Sequence, residues 1–163
     1  MSAIKRYAPE FGPGFSTLAP GSPQSSLGTG PSYFTAVPLT AAQLIAMFAA
    51  PVSVLAAPGA GKAIVLIAAY LSITRTATAF TGGGPVNLQY HTTTTSVPHG
   101  GTIPAAIVTG GAGSVVHQLG PNNGANGLVI PVNEGLDITN ITGAFAAGTG
   151  TAKLFLYYRV ISA

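Results

Sequence analysis

Thr151-Ala152-Lys153-Leu154-Phe155-Leu156-Tyr157-Tyr158-Arg159-Val160-Ile161 decides the fold. Leu154, Leu156, Tyr158 and Val160 recur at every second position. Lys153, Phe155, Tyr157, Arg159 and Ile161 fill the places between them. Successive side chains of a strand point to opposite faces, so this period of two reads as a closing β-strand. One of its faces is apolar, and the other mixes aromatics with two cations.

Earlier segments repeat the signal. Tyr33 to Leu39 reads as a first strand, pushed to a sheet edge by Pro38, which lacks an N–H for a ladder. Thr40 is placed to cap a short helix in which Leu44, Met47 and Phe48 fall on one face, ending before Pro51. Val52 to Ala57 is a strand, and Pro58-Gly59-Ala60-Gly61 a hairpin-like turn. Ala63 to Thr74, apolar on both sides, belongs in mid-sheet. Val86 to His91 alternates Val86, Leu88 and Tyr90 with Asn87, Gln89 and His91, a half-buried strand with one polar face. Ile103 to Val108 is a short strand or helical turn. Val115 to Leu119, Leu128 to Val132 and Leu136 to Thr142 supply further strands, and two Asn-Gly steps between Gly120 and Gly127 favour tight turns.

About eight short strands with Gly/Pro punctuation predict an all-β fold: a β-sandwich, jelly-roll-like, with one short helix. Residues 1–32 form a separate zone, an extended N-terminal arm. Pro9, Pro13, Pro20, Pro23 and Pro31, with the interspersed glycines, exclude a regular helix or central strand there. Phe11, Phe15 and Leu18 give such an arm something to bury, with Tyr33 and Phe34 at its root. These five residues are the candidate partner contacts. The domain proper is expected to span 33–163.

The composition is unusual. Only 6% of the 163 residues are charged, against 47% hydrophobic; about a quarter charged is usual for a soluble domain. Such a surface either relies on Thr, Ser, Asn and Gly for solvation or is covered in an assembly. The net charge is +3, yet of six cations only Lys5 and Arg6 adjoin. Nucleic-acid footprints need clustered cations to neutralise phosphates, so no specific nucleic-acid partner is expected. Lys5 and Arg6 precede Tyr7-Ala8-Pro9-Glu10 rather than an apolar run, which argues against a signal peptide. Ala63 to Ile73 is too short to span a bilayer as a helix, so no membrane partner is expected either. Without cysteine there is no disulfide, thiolate zinc site or Cys nucleophile.

Catalytic motifs fail one by one. Ala57-Pro58-Gly59-Ala60-Gly61-Lys62-Ala63 resembles a phosphate loop, but Ala56 replaces its first Gly and Ala63 its hydroxyl, and a strand follows. His91, His99 and His117 lack metal-ligand spacing. Glu134 and Asp137 flank a turn, which is the commoner use of such a pair than glycoside chemistry. No nucleophile-elbow pattern occurs. The expectation is a non-enzyme with no catalytic residues, no cofactor and no metal.

Several stretches carry a resemblance. Tyr33-Phe34-Thr35-Ala36-Val37-Pro38-Leu39-Thr40-Ala41-Ala42-Gln43-Leu44 leads into Pro51-Val52-Ser53-Val54-Leu55-Ala56-Ala57-Pro58-Gly59-Ala60-Gly61-Lys62-Ala63-Ile64. Asn126-Gly127-Leu128-Val129-Ile130 and Lys153-Leu154-Phe155-Leu156-Tyr157-Tyr158-Arg159-Val160 follow. Together, over roughly residues 33–161, they resemble small virion structural proteins of tailed bacteriophages, most of all capsid decoration (cement) proteins. The resemblance implies a homotrimer at local threefold axes of the capsid exterior, assembled in the host bacterial cytoplasm. It would stabilise the shell by bridging subunits of the phage major capsid protein. A tail, neck or fibre-base component and a minor shell protein are the other virion roles. Of another class is a carbohydrate-binding β-sandwich module or small hydrolase, with Glu134 and Asp137 as its acids and Tyr90, Tyr157 and Tyr158 as its stacking surface.

Overall fold

The computed structural model describes residues 31–91, 102–119 and 130–163. Among them run nine strands and two short helices: β1 (Ser32–Thr40), α1 (Ala41–Ala46), β2 (Val52–Leu55), β3 (Lys62–Arg75), β4 (Thr81–Gly82), β5 (Val86–Tyr90), α2 (Ala105–Thr109), β6 (Gly113–Leu119), β7 (Leu136–Asn140), β8 (Phe145–Ala146) and β9 (Gly150–Ser162). A four-stranded sheet has the order β1-β9-β3-β6, and a three-stranded sheet the order β2-β7-β5. All pairings are antiparallel. Setting aside the β4-β8 ribbon, consecutive strands alternate between the two sheets.

The fold is an all-β sandwich. Leu39, Ile64, Leu71, Ile73, Leu154 and Leu156 of one sheet meet Val54, Val86, Leu88, Tyr90, Leu136 and Ile138 of the other in one buried cluster. Each set comes from alternate positions of its strands, as burial of one face requires. Tyr90 adds a polar handle to this apolar interior, its hydroxyl donating to the Ile64 carbonyl at 2.5 Å. Burial pushes the Tyr90 phenol up, since the core disfavours a phenolate.

The ends are closed by local chemistry. Thr40 caps α1 in a reciprocal box: the Gln43 N–H donates to Thr40 Oγ1 at 3.2 Å, and the Thr40 N–H to Gln43 Oε1 at 2.9 Å. Leu44 and Met47 are buried, but Phe48 is 45% exposed. The expected third member of the helical stripe fails because α1 stops at Ala46, before Phe48 can keep the 3.6-residue period. At another end Phe80 and Phe145 are buried, with centroids 6.2 Å apart. Gly148, at φ +119°, lies so close that a Cβ would sit 2.4 Å from the Phe80 ring.

Other expectations shift. Pro58 to Gly61 is not a hairpin turn, because it links β2 of one sheet to β3 of the other. It is held from outside: the Gly59 N–H donates to Asn133 Oδ1 at 3.0 Å, and the Asn133 N–H to the Lys62 carbonyl at 2.7 Å. Residues 130–132 are not in a strand, and Leu128 and Val129 lie outside the described residues. Ile103 pairs with Val86 by a single bridge, and α2 follows it, so the segment is both extended and helical. The expected arm lies outside the described residues, apart from Pro31 and from Ser32, which already opens β1.

Candidate interaction surface

The outer face of the four-stranded sheet is built from the odd positions of β9 and their partners. Registers place Phe34, Tyr157 and Ala68 in one row and Ala36, Phe155, Tyr70 and Gln118 in the next. The four aromatics touch across strands. Phe34 lies 4.9 Å from Tyr157 and stacks on Phe155 at 6.2 Å, while Tyr70 meets Tyr157 edge-on at 6.4 Å. Phe34 is 55% exposed and Tyr157 43%. Water therefore reaches an aromatic cluster that spans three strands.

Cations flank it on both sides. Arg159 pairs in register with Ser32 and donates from Nε to Ser32 Oγ at 3.0 Å. Lys153 sits between Pro38 and Ser72. Beyond it a row of hydroxyls, Thr40, Thr151, Thr74 and Ser114, crosses all four strands. The three threonines and Lys153 floor an open groove of 510 Å³ that runs up to Phe155. No strand position on this face carries a carboxylate. Such a face offers aromatic contact area, positive charge and hydroxyls.

The outer face of the three-stranded sheet has another character. Registers set Ser53, Asp137 and Gln89 in one row, and Thr139 beside Asn87 in the next. Asn87, Asp137 and Thr139 are buried although they point away from the core. The polar face expected of β5 is present, but the strand is more than half-buried: the turn after α1 lies beside this face, and Thr139 Oγ1 donates to the Met47 carbonyl at 2.9 Å. Phe48, Pro51, Asn87, Gln89, Thr139, Asn140 and Ile141 surround a hollow of 280 Å³. The Asn87 and Asp137 Oδ1 atoms are buried with no hydrogen-bond partner.

His91 follows the end of β5 and bonds through Nδ1 to Asp137 Oδ2 at 2.5 Å. The hydrogen bond first, then the carboxylate charge, raises the imidazole pKa above its ordinary value, and Glu134 adds to it. A second hollow of 220 Å³ lies here, lined by Ser53, His91, Asn133 and Glu134 among others. Ser53 makes no hydrogen bond to the imidazole, and among the described residues no three His, Asp or Glu side chains are placed to hold a metal ion.

Of the candidate contacts, Tyr33 and Phe34 lie on β1, and Phe11, Phe15 and Leu18 lie outside the described residues. Tyr33 turns to the face opposite Phe34 and stacks on Tyr158 at 5.4 Å. The tyrosine platform considered for sugar is not formed: Tyr90 is in the core, and Tyr157 and Tyr158 face opposite ways. Nothing in the sequence marks Tyr70 as a surface residue, because its strand reads as apolar throughout. Its outward direction follows from pairing with Phe155. His99 lies outside the described residues, and His117 is half-buried on β6.

Among the described residues no helix is long and apolar enough to cross a membrane. No protein-family model matches the chain, and no curated protein matches it in sequence. Among solved structures it is similar to a chain of the capsid asymmetric unit of cyanophage Pam1, at 15% identity and a TM-score of 0.44, over 93% of this chain and 99% of that one.

Proposed function

We propose that this chain is a non-enzymatic structural protein of a tailed-phage virion that binds other capsid subunits through the outer face of its four-stranded sheet. The observation that carries the reading is the exposed cluster of Phe34, Phe155, Tyr157 and Tyr70 on a sheet face that carries no carboxylate. Interface cores are enriched in aromatics and depleted of charge, and an exposed apolar patch of this kind marks a contact surface. The low charge of the whole chain has the same sense.

Topology supports it. Strands that alternate between sheets in the orders β1-β9-β3-β6 and β2-β7-β5 fit a jelly roll, with Ile103 beside β5 in the place of an eighth principal strand. Jelly rolls are a recurrent architecture of viral capsid domains. The finer reading is a homotrimer on the capsid exterior that bridges major capsid subunits, with residues 1–30 and their Phe11, Phe15 and Leu18 extending the contact begun by Phe34.

Co-sedimentation with undecorated phage heads, together with light scattering, tests the reading. The wild-type protein is expected to form a trimer and move onto the heads. Phe34→Glu with Tyr157→Glu places two charges in the contact and abolishes binding, while circular dichroism stays that of a β-protein. Deleting residues 2–30 is expected to weaken head binding and leave the domain folded. A wild-type monomer that ignores the heads, or a double variant that binds undiminished, overturns it.

A further inference from the structure

Building on the reading of the four-stranded sheet's outer face as an assembly surface, we propose that its partner is an acidic protein surface on a different polypeptide: an apolar strip bracketed by carboxylates that meet Lys153 and Arg159. Both cations lie on β9, at positions of the same parity, so they share a face. At a strand rise of about 3.3 Å per residue they stand roughly 20 Å apart. Phe155 and Tyr157 fall between them, and Phe34 and Tyr70 join these across the register. Val116, 64% exposed, extends the apolar ground beside Ser72 in the Lys153 row. An aromatic centre with charge kept to its rim is the layout of a protein interface.

A second copy of the chain does not complement this face. The whole chain has three acidic side chains, Glu10, Glu134 and Asp137. Asp137 is buried and bonded to His91, Glu134 is half-buried in the turn before β7, and Glu10 lies outside the described residues. Among the described residues, then, no face offers two carboxylates set roughly 20 Å apart to match the cations. Two copies packed face to face with aligned strands would set cation on cation. A twofold axis across the strands puts Lys153 over Arg159, and one along them puts each over its own equivalent. Like charges so placed oppose association, whereas carboxylates there favour it. A nucleic-acid strand fits less well: its backbone carries a charge about every 3.4 Å and is met by clustered cations, which two so far apart do not form.

Carbodiimide cross-linking of the full chain bound to undecorated phage heads, read by mass spectrometry, tests the proposal. Lys153 is expected to join an Asp or Glu of a head subunit. Lys62, at the start of β3 and off this face, is expected to join none. In biosensor kinetics at low salt, Lys153→Glu with Arg159→Glu is expected to slow association with the heads about tenfold and change dissociation little, because rim charges act on encounter. High salt is expected to slow the wild type and not the double variant. Lys153→Glu alone, at an exposed side chain, is expected to slow association about threefold, and it keeps the test open if Arg159→Glu loosens β1 at Ser32. Lys62→Glu leaves both rates unchanged. A Lys153 link to a second copy or to nothing, unchanged association by Lys153→Glu, or displacement of the heads by a single-stranded DNA oligonucleotide overturns the acidic partner while head binding stands. A wild type that ignores the heads instead overturns the assembly reading, and this proposal with it.

Discussion

The two outer faces of the sandwich obey the same alternation and end in opposite states. On the four-stranded sheet the outward residues are large and aromatic, yet Phe34 and Tyr157 are about half in water. On the three-stranded sheet the outward residues Asn87, Asp137 and Thr139 are polar, yet they are buried. Each face inverts the ordinary preference for apolar groups inside and polar groups outside. Under the proposed function, the first inversion is relieved by a partner that covers the aromatics. The second is relieved within the chain, by the Met47 carbonyl and His91, and leaves the Asn87 and Asp137 Oδ1 atoms over.

The comparison can be broken from the inside out. Leu156→Ala opens the core that both faces share. It is expected to cost about 2–5 kcal/mol in urea unfolding, since a fully buried leucine leaves a cavity. A cost below about 1 kcal/mol contradicts the packing described. Thr139→Val strands the Met47 carbonyl and is expected to cost about 1–3 kcal/mol. Thr151→Val, on the open hydroxyl row, should stay within about 0.5 kcal/mol. Equal costs at the two threonines remove the distinction between the faces.

Asn87→Leu sharpens it further. Replacing a buried, unpaired polar group by an apolar one is expected to be neutral or to stabilise the free protein by about 1 kcal/mol. A clear drop in thermal midpoint instead shows that the Asn87 amide serves the fold. The smallest effect concerns pH. Asp137 raises the pKa of His91 above the ordinary 6.5, so the pair stabilises the folded state fully below that value. The contribution fades as pH rises through the raised pKa. A slight fall in thermal midpoint across that window is expected, and His91→Gln should flatten it; identical profiles for the two proteins refute the coupling.

Much of this was readable from residue order. The period of two in β9 assigns Leu154 and Leu156 to the core and Phe155 and Tyr157 to the other face, because the pleat allows no other arrangement. Thr40 with Gln43 announces the helix start, since the capping box is local. Pro38 at a sheet edge follows from its missing N–H. The two-residue strands β4 and β8 carry too little pattern to be seen, and Gly148 shows its role only when Phe80 packs over it.

The candidate surfaces divide in the same way. Sequence alone determined an all-β chain, poor in charge, with an aromatic side to its closing strand, since period and composition are properties of the covalent chain. Tertiary structure alone decided which strands flank which. It put Tyr70 beside Tyr157, brought His91 to Asp137 across 46 residues, and laid the turn after α1 beside Asn87. Those outcomes depend on long-range pairing and on which face is covered, and no local period encodes either.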